Sequence, residues 1–161
     1  MIKNKPRKET NDVETLQLRA ASINRGKWVF QIAKEGLKAG MKWDDIREAI
    51  HKAGAYKGYN DFLRTSDIKK FAKAFATESL IKTNDAEIPV LTDDEFVWEV
   101  NYCPLVEGWL EFTEDQDFLE NLCEACMEVD RGAMDTYGWT LELKETIARG
   151  DGKCTICMRR K

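Results

Sequence analysis

The sequence has one histidine, three prolines and no long apolar run. The single histidine, His51, lies in a predicted helix, where we expect a surface residue, and its isolation disfavours a catalytic cysteine–histidine dyad. No stretch approaches the ~18 consecutive apolar residues of a membrane span, and no apolar run follows the charged start. We therefore expect a soluble, cytoplasmic protein with no membrane partner and no secretory leader.

Positive charge is nearly missing from one part of the chain. Residues 83–143 carry 1 Lys or Arg against 17 Asp and Glu, whereas residues 1–82 carry 18 against 10. A basic half is typical of nucleic-acid binding, but these charges lie on helices with ordinary apolar stripes and form no known nucleic-acid motif. The charges favour an interpretation in which the basic and acidic parts face each other, or face a neighbouring copy in a homo-oligomer.

The hydrophobic pattern predicts an α+β fold, with an N-terminal helical region followed by a small antiparallel sheet that a long helix covers. We expect a flexible tail over residues 1–12, a helical region over 13–82 and an α+β region over 83–161, packed as one compact unit. In the first helix the predicted core stripe is Leu16, Ile23, Trp28, Ile32 and Leu37. The acidic segment before residue 95 is predicted to be a linker, and that after Pro104 a loop.

Five cysteines are present, four of them in two C-x-x-C pairs. A two-pair zinc clamp needs each pair on a tight turn, but Cys123 and Cys126 fall on one face of a predicted helix. Cys154 and Cys157 fall on opposite faces of a predicted strand, so we expect Cys154 to point inward and Cys157 to lie nearer water.

Two readings of the thiols remain open. A mixed set of Cys103, Cys123, Cys126 and Cys154 could hold zinc or an iron–sulfur cluster. The alternative is that these thiols are buried packing residues, as free cysteines often are.

Two carboxylates interrupt predicted apolar faces. Asp130 falls among the apolar residues of the long helix, and Glu145 interrupts the apolar face of the strand that follows. A carboxylate that faces a core is costly unless it is hydrogen-bonded or paired, so each is either a capping or edge residue or part of a site with perturbed ionisation. We expect Asp130 to be buried and held by hydrogen bonds.

Three segments together resemble a known family. They are "YCP", the helical cysteine followed by "VD", and "GWTLELKETIARGDGKC". Their order and spacing over residues 95–158 are similar to those of the L-2-amino-thiazoline-4-carboxylic acid hydrolase-like family. The positions carried over by the resemblance are Cys103, Cys126, Asp130, Gly150, Asp151 and Cys154.

The resemblance implies hydrolytic opening of a cyclic carbon–nitrogen bond in a thiazoline-carboxylate-like substrate. Cys103 would be the nucleophile or a metal ligand, and Asp130 the general base, with Cys126 and Cys154 in the same pocket at the end of the sheet. Arg149 would bind the substrate carboxylate near Glu145 and Asp151.

The alternative is a non-enzymatic module that binds a small ligand or a metal. The same architecture is similar to the small sensor domains related to 4-vinyl reductases, in which a helix-covered sheet encloses a ligand, and clustered thiols suit a soft metal.

Overall fold

A computed structural model describes residues 2–161 and contains six helices and four strands within them. Several helices have a short polar residue as N-cap. Asp12, Asp67 and Asp115 each accept a hydrogen bond from a backbone amide in the first turn, which stabilises the start of the helix. The elements in chain order are α1 (Val13–Lys38), α2 (Trp43–Asn60), α3 (Ile68–Phe75), α4 (Glu78–Thr83), β1 (Ala86–Leu91), β2 (Glu95–Val100), α5 (Pro104–Leu110), α6 (Gln116–Asp135), β3 (Trp139–Glu145) and β4 (Cys154–Arg160).

The four strands form one antiparallel sheet in the order β1-β2-β4-β3, which confirms the α+β class. The two central strands put alternate side chains on an inner face that joins the core; this face includes Phe96, Trp98, Val100, Cys154, Ile156 and Met158. Helix α6 packs on this side of the sheet, against β3 and the turn that follows it. No helix within residues 2–161 is both long and apolar enough to span a bilayer.

Helices α2 and α6 pack at very short range, and glycines make this possible. A Cβ at Gly132 would lie 2.1 Å from the carbonyl oxygen of His51, and one at Gly54 would lie 2.1 Å from that of Val129. Helices α1 and α5 use the same device, since a Cβ at Gly108 would lie 2.6 Å from the carbonyl oxygen of Ile23. Each pair therefore joins a helix of the first half to a helix of the second.

Ion pairs also connect the basic and acidic halves of the chain. Arg7 contacts Asp85 and Glu87, Lys27 lies 2.6 Å from Glu111, and Lys69 lies 2.8 Å from Asp93. The uneven charge distribution thus includes pairing within one molecule. These pairs are mostly exposed, so each contributes little to stability.

The predicted core stripe of α1 is wrong in part. Leu16, Trp28 and Ile32 are exposed, and the buried positions are Thr15, Arg19, Gly26, Phe30 and Ala33. At the contact with α5 a Cβ on Gly26 would lie 2.8 Å from the Leu105 carbonyl oxygen, so the closest approach requires a glycine, and Trp28 and Ile32 lie on the outer side of the helix.

Two predicted irregular segments are in fact regular. The predicted linker contains β1, which pairs with β2 despite Pro89 because a register irregularity between Glu87 and Val90 interrupts the ladder there. The predicted acidic loop begins with α5, in which Pro104 occupies the first turn.

Residues 2–12 form neither helix nor strand, yet two side chains attach them to the sheet region. Asn4 is buried and hydrogen-bonds to Cys103, and the Arg7 guanidinium binds the Asp85 carboxylate. The expected flexible tail is therefore held at two points in this structure.

Cys157 is buried, so the prediction that it lies nearer water is wrong, although it does occupy the sheet face opposite Cys154. It lies on a central strand between Val97 and Glu142. On the same face the Arg159 guanidinium contacts Glu95 and Glu142, 2.7 and 3.8 Å away. A small side chain flanked in this way is shielded by its neighbours on the sheet.

Candidate functional site

Cys103 lies where β2 ends and α5 begins, as the N-cap residue of α5. The Asn4 side chain makes two hydrogen bonds to the Cys103 backbone. Its Oδ1 accepts from the Cys103 backbone N–H at 2.8 Å, and its Nδ2 donates to the Cys103 carbonyl oxygen at 2.9 Å. Burial and the neighbouring Cys154 raise the pKa of the Cys103 thiol to about 12, although the amides of Val106 and Leu105 oppose this shift. The thiol is therefore protonated at neutral pH and a weak nucleophile.

Cys126 and Asp130 lie one turn apart on α6, and both are partly buried. Burial and then the nearby Cys103 raise the pKa of Cys126 to about 12. Burial also raises the pKa of Asp130 to about 6, against the opposing charges of Lys57, Arg25 and Arg131. Asp130 is thus poised to gain or lose a proton close to neutral pH.

Within residues 2–161 the Asp130 side chain makes no hydrogen bond, so the prediction that hydrogen bonds hold it is wrong. In the same part of the chain, every fully buried polar side-chain atom has a hydrogen-bond partner. Because the Asp130 carboxylate has none, its oxygens must keep some contact with solvent. An unpaired, partly desolvated carboxylate can accept a proton from a bound water or ligand.

Cys123 and Cys154 meet at the hydroxyl of Thr146, a residue that is 1% exposed. The Thr146 Oγ1 lies 3.2 Å from the Cys123 sulfur and 3.8 Å from the Cys154 sulfur. The Ile147 amide donates to the Cys154 sulfur at 3.3 Å. Burial raises the pKa of both thiols, so they too are neutral hydrogen-bonding groups.

Each of the four thiols shifts the pKa of another or has its own pKa shifted by one, which indicates that the four lie near one another. Cys103 acts on Cys123 and Cys126, and Cys154 acts on Cys103 and Cys123. All four belong to the hydrophobic core or pack against it. We call Cys103, Cys123, Cys126, Cys154 and Asp130 the thiol–carboxylate cluster.

The cluster does not have the geometry of a metal site. Within residues 2–161, no group of three or more His, Cys, Asp or Glu side chains is arranged to hold a metal ion. Two cavities, of about 280 and 330 Å³, lie away from the cluster: one is lined by Phe62, Phe71 and Phe75, the other by Ile2, Leu110 and Gln116 among others. The thiols themselves are packed among apolar side chains.

The three predicted substrate-binding residues, Glu145, Arg149 and Asp151, lie outside the cluster. A register shift after Leu143 sets Glu145 opposite Thr155 on the outer face, where it accepts a hydrogen bond from the Thr155 hydroxyl at 2.6 Å. Glu145 therefore does not interrupt the inner apolar face.

Arg149 and Asp151 bind each other. The Asp151 carboxylate accepts from the Thr146 amide at 2.9 Å and from Arg149 Nε at 2.8 Å, and a second Arg149 nitrogen donates to the Lys144 carbonyl. Gly150 supplies the left-handed conformation that this turn requires, with φ of 96°. The turn positions Thr146, and through it the two thiols, while the Arg149 charge is occupied.

Four residues near the cluster had no role in the sequence analysis. Thr146 joins two thiols, Asn4 holds Cys103, and Lys57 and Arg25 act on the Asp130 carboxylate from α2 and α1. Thr146 carried a weak signal, because it follows an apolar strand and precedes the glycine turn. The other three carried none, since their partners are distant in sequence.

Comparison with protein families gives a match to L-2-amino-thiazoline-4-carboxylic acid hydrolase over residues 31–158. The chain belongs to this family. The match begins inside α1, so the hydrolase likeness covers the helical half as well as the segments after residue 95. A comparison with curated proteins gave no match.

One solved structure with a similar fold is a trafficking protein particle complex subunit 3 from Naegleria fowleri, covalently bound to palmitic acid. The TM-score is 0.61 at 18% identity, and the alignment covers 89% of this chain and 96% of the other. At that identity the likeness concerns the fold alone. A member of the hydrolase family thus shares its architecture with a subunit of a trafficking complex.

Proposed function

We propose that this chain is a hydrolase that opens a cyclic carbon–nitrogen bond in a small thiazoline-carboxylate-like substrate, with Asp130 as the general base. The observation that carries the proposal is the Asp130 carboxylate, which has a pKa of about 6 and no protein hydrogen bond within residues 2–161. A base of that pKa is largely ionised at neutral pH yet still removes a proton effectively. Membership of the hydrolase family supports the reaction class.

Water, and not a cysteine, would be the attacking group. The thiols of Cys103 and Cys126 have a pKa of about 12, so little thiolate exists at neutral pH. Asp130 would take one proton as the water oxygen bonds to the carbon of the C=N group. That proton passes to the ring nitrogen, which leaves a tetrahedral carbon that carries a hydroxyl group. Transfer of the hydroxyl proton to the same nitrogen forms the carbonyl as the carbon–nitrogen bond breaks, so the nitrogen leaves as a primary amine. Cys103, Cys126 and Cys154 would surround the ring as neutral, polarisable groups.

Lys57 is the best-placed cation for the substrate carboxylate. It lies on α2, its charge is the strongest of those that lower the pKa of Asp130, and the described chain shows no carboxylate ion-paired with it. Arg131 is engaged by Glu124 and Glu128, and Arg149 by Asp151. A substrate carboxylate held by Lys57 would bring the ring close to Asp130.

The test is hydrolysis of L-2-amino-thiazoline-4-carboxylate by the full chain and its variants. Asp130→Asn should lower kcat by about 10²- to 10⁴-fold, because general-base catalysis is lost while size is kept. Lys57→Gln should mainly raise KM. The matched control is Glu120→Gln, which removes one carboxylate charge from the same helix and should leave turnover unchanged. Full activity of Asp130→Asn would refute the proposed base.

A second candidate is a module that binds an acyl chain. It is favoured by the fold likeness to a subunit covalently bound to palmitic acid, together with thiols set in an apolar core in this chain. Cys103 is the candidate attachment residue, because it is the thiol that lies at a helix start and keeps partial exposure. Intact-mass measurement before and after hydroxylamine treatment decides this: a palmitoyl thioester adds one hydroxylamine-sensitive mass increment that Cys103→Ser removes. An unmodified mass in protein incubated with palmitoyl-coenzyme A would count against it.

A further inference from the structure

The outward face of α1 carries a regular pattern of exposed side chains, one of which, Arg25, also acts through its charge on Asp130. Seven exposed residues follow one another at alternating spacings of three and four, which is the heptad spacing of a helix-pairing seam. We call them the α1 seam: Leu18, Ala21, Arg25, Trp28, Ile32, Glu35 and Ala39.

We propose that two copies of this chain pair through the α1 seam, with their α1 helices antiparallel. Trp28 and Ile32 at the middle of the seam are 67% and 70% exposed, although they are among the largest apolar side chains of the molecule. Helix α1 packs on α5 with its opposite face, through Gly26. Exposed apolar surface of this size on a regular helix face is typical of an association site.

The charges of the seam specify what covers it. In an antiparallel pair centred between Trp28 and Ile32, Trp28 of one copy meets the partner's Ile32. The same geometry sets Arg25 against the partner's Glu35 and Ala21 against the partner's Ala39. Six of the seven seam positions then meet another seam position of the partner, as an interface with two-fold symmetry requires.

A parallel pair of the same helices is disfavoured by charge. It would place Arg25 against the partner's Arg25 and Glu35 against the partner's Glu35, and like charges at a helix seam are destabilising. Glu35 has an intramolecular contact with Lys38 at 3.4 Å, but both side chains are well exposed, so this pair offers little competition.

The apolar surface extends beyond the helix itself. Met41 is 43% exposed, and its side chain approaches Gly36, close to the C-terminal end of α1. In the antiparallel arrangement the same register sets Leu18 opposite the partner's Lys42, next to Met41. The seam spans about 30 Å at a rise of 1.5 Å per residue. A pair of that length is compatible with the low end of interfaces that bury ~1,200–2,000 Å².

Sedimentation equilibrium of the full chain over a range of concentrations tests the proposal. The wild-type chain should show twice the monomer mass at high concentration and dissociate on dilution. Arg25→Glu sets two glutamates against each other and should weaken the dimer at least tenfold, as should Glu35→Arg. The double variant R25E/E35R restores opposite charges and should recover most of the affinity.

A control reverses a charge on the same helix outside the seam: Lys34→Glu should leave dimerisation unchanged, and far-UV circular dichroism should show that all variants keep their helices. A chain that stays monomeric at all concentrations would refute the proposal. A dimer that the single charge reversals do not weaken would place the interface on another face, and failure of R25E/E35R to recover would refute the antiparallel register. None of these outcomes depends on catalysis, so the dimer and the proposed hydrolase fail separately.

Discussion

At the scale of single residues, Asp130 has conflicting demands from stability and from chemistry. Its carboxyl has an ordinary pKa of 3.8, and burial raises it to about 6. The folded state therefore favours the protonated form relative to the unfolded chain. Stability derived from this residue is fully present below about pH 4 and is lost as the pH rises through about 6. The ionised form that the proposed base needs is the form that destabilises the fold.

This conflict predicts that Asp130→Asn gains stability while it loses activity. An uncharged amide avoids the cost of ionisation in partly buried surroundings, so at pH 8 the variant should unfold at higher urea concentration than the wild type. The rise in the Asp130 pKa from 3.8 to about 6 corresponds to a gain on the order of 1–3 kcal/mol in the free energy of unfolding. The difference should shrink as the pH falls below about 6, because the folded carboxyl then takes up a proton, and it should be small near pH 4, close to the ordinary pKa of 3.8. A variant less stable than wild type at pH 8 would mean that an undetected hydrogen bond holds Asp130.

At the scale of secondary-structure elements, α2 and α6 depend on the absence of side chains at their contact. Gly132→Ala would put a methyl group 2.1 Å from the His51 carbonyl oxygen, so the two backbones must separate. We expect a loss of about 1–3 kcal/mol in the free energy of unfolding, the usual cost of overpacking. The measurement is urea denaturation followed by circular dichroism.

The matched control for this substitution is Gly36→Ala in α1. Its nearest neighbour is the sulfur at the end of the flexible Met41 side chain, which can move aside. Alanine also favours a helix by up to ~1 kcal/mol over glycine. This variant should be neutral or stabilising, and an equal loss in both variants would show that the close helix contact is not the cause.

The sequence predicted the long helix, the hairpin and the sheet class because each has a clear apolar period. It failed for α1, because the apolar Trp28 and Ile32 are exposed whereas the polar Arg19 is buried. It also missed β1 and α5, in which Pro89 and Pro104 read as breaks but occupy positions that strands and helices tolerate.

Local sequence patterns also predicted only part of the candidate site. Helical spacing was enough to place Cys123 and Cys126 on the Asp130 side of α6, and strand alternation was enough to turn Cys154 inward. The contributions of Thr146, Asn4 and Lys57 depend on tertiary contacts that no local pattern encodes. Glu145 was misplaced because a strand irregularity reverses the expected face, and such an irregularity leaves no reliable mark in the sequence.

At the scale of the whole molecule, distant parts of the chain meet at Cys103. Asn4 is 6% exposed and closes over the start of α5 by bonding both backbone groups of Cys103, with a third contact to Glu107 at 3.2 Å. Arg7 fixes the same segment to the Asp85 carboxylate. Asn4 and Arg7 therefore hold residues 2–12 against the start of α5, next to Cys103.

We predict that Asn4→Ala makes Cys103 react faster with a thiol reagent. Removing the amide leaves two backbone groups of Cys103 without their partner, a loss of about 1–3 kcal/mol that favours opening of the segment. The native chain should then label at Cys103 about tenfold faster or more, as followed by mass spectrometry of peptides at low reagent excess. Asn11→Ala, an exposed position just before α1, is the control and should leave the rate unchanged. Equal labelling rates in wild type and Asn4→Ala would show that the thiol opens by another route, such as movement of α5 away from α1.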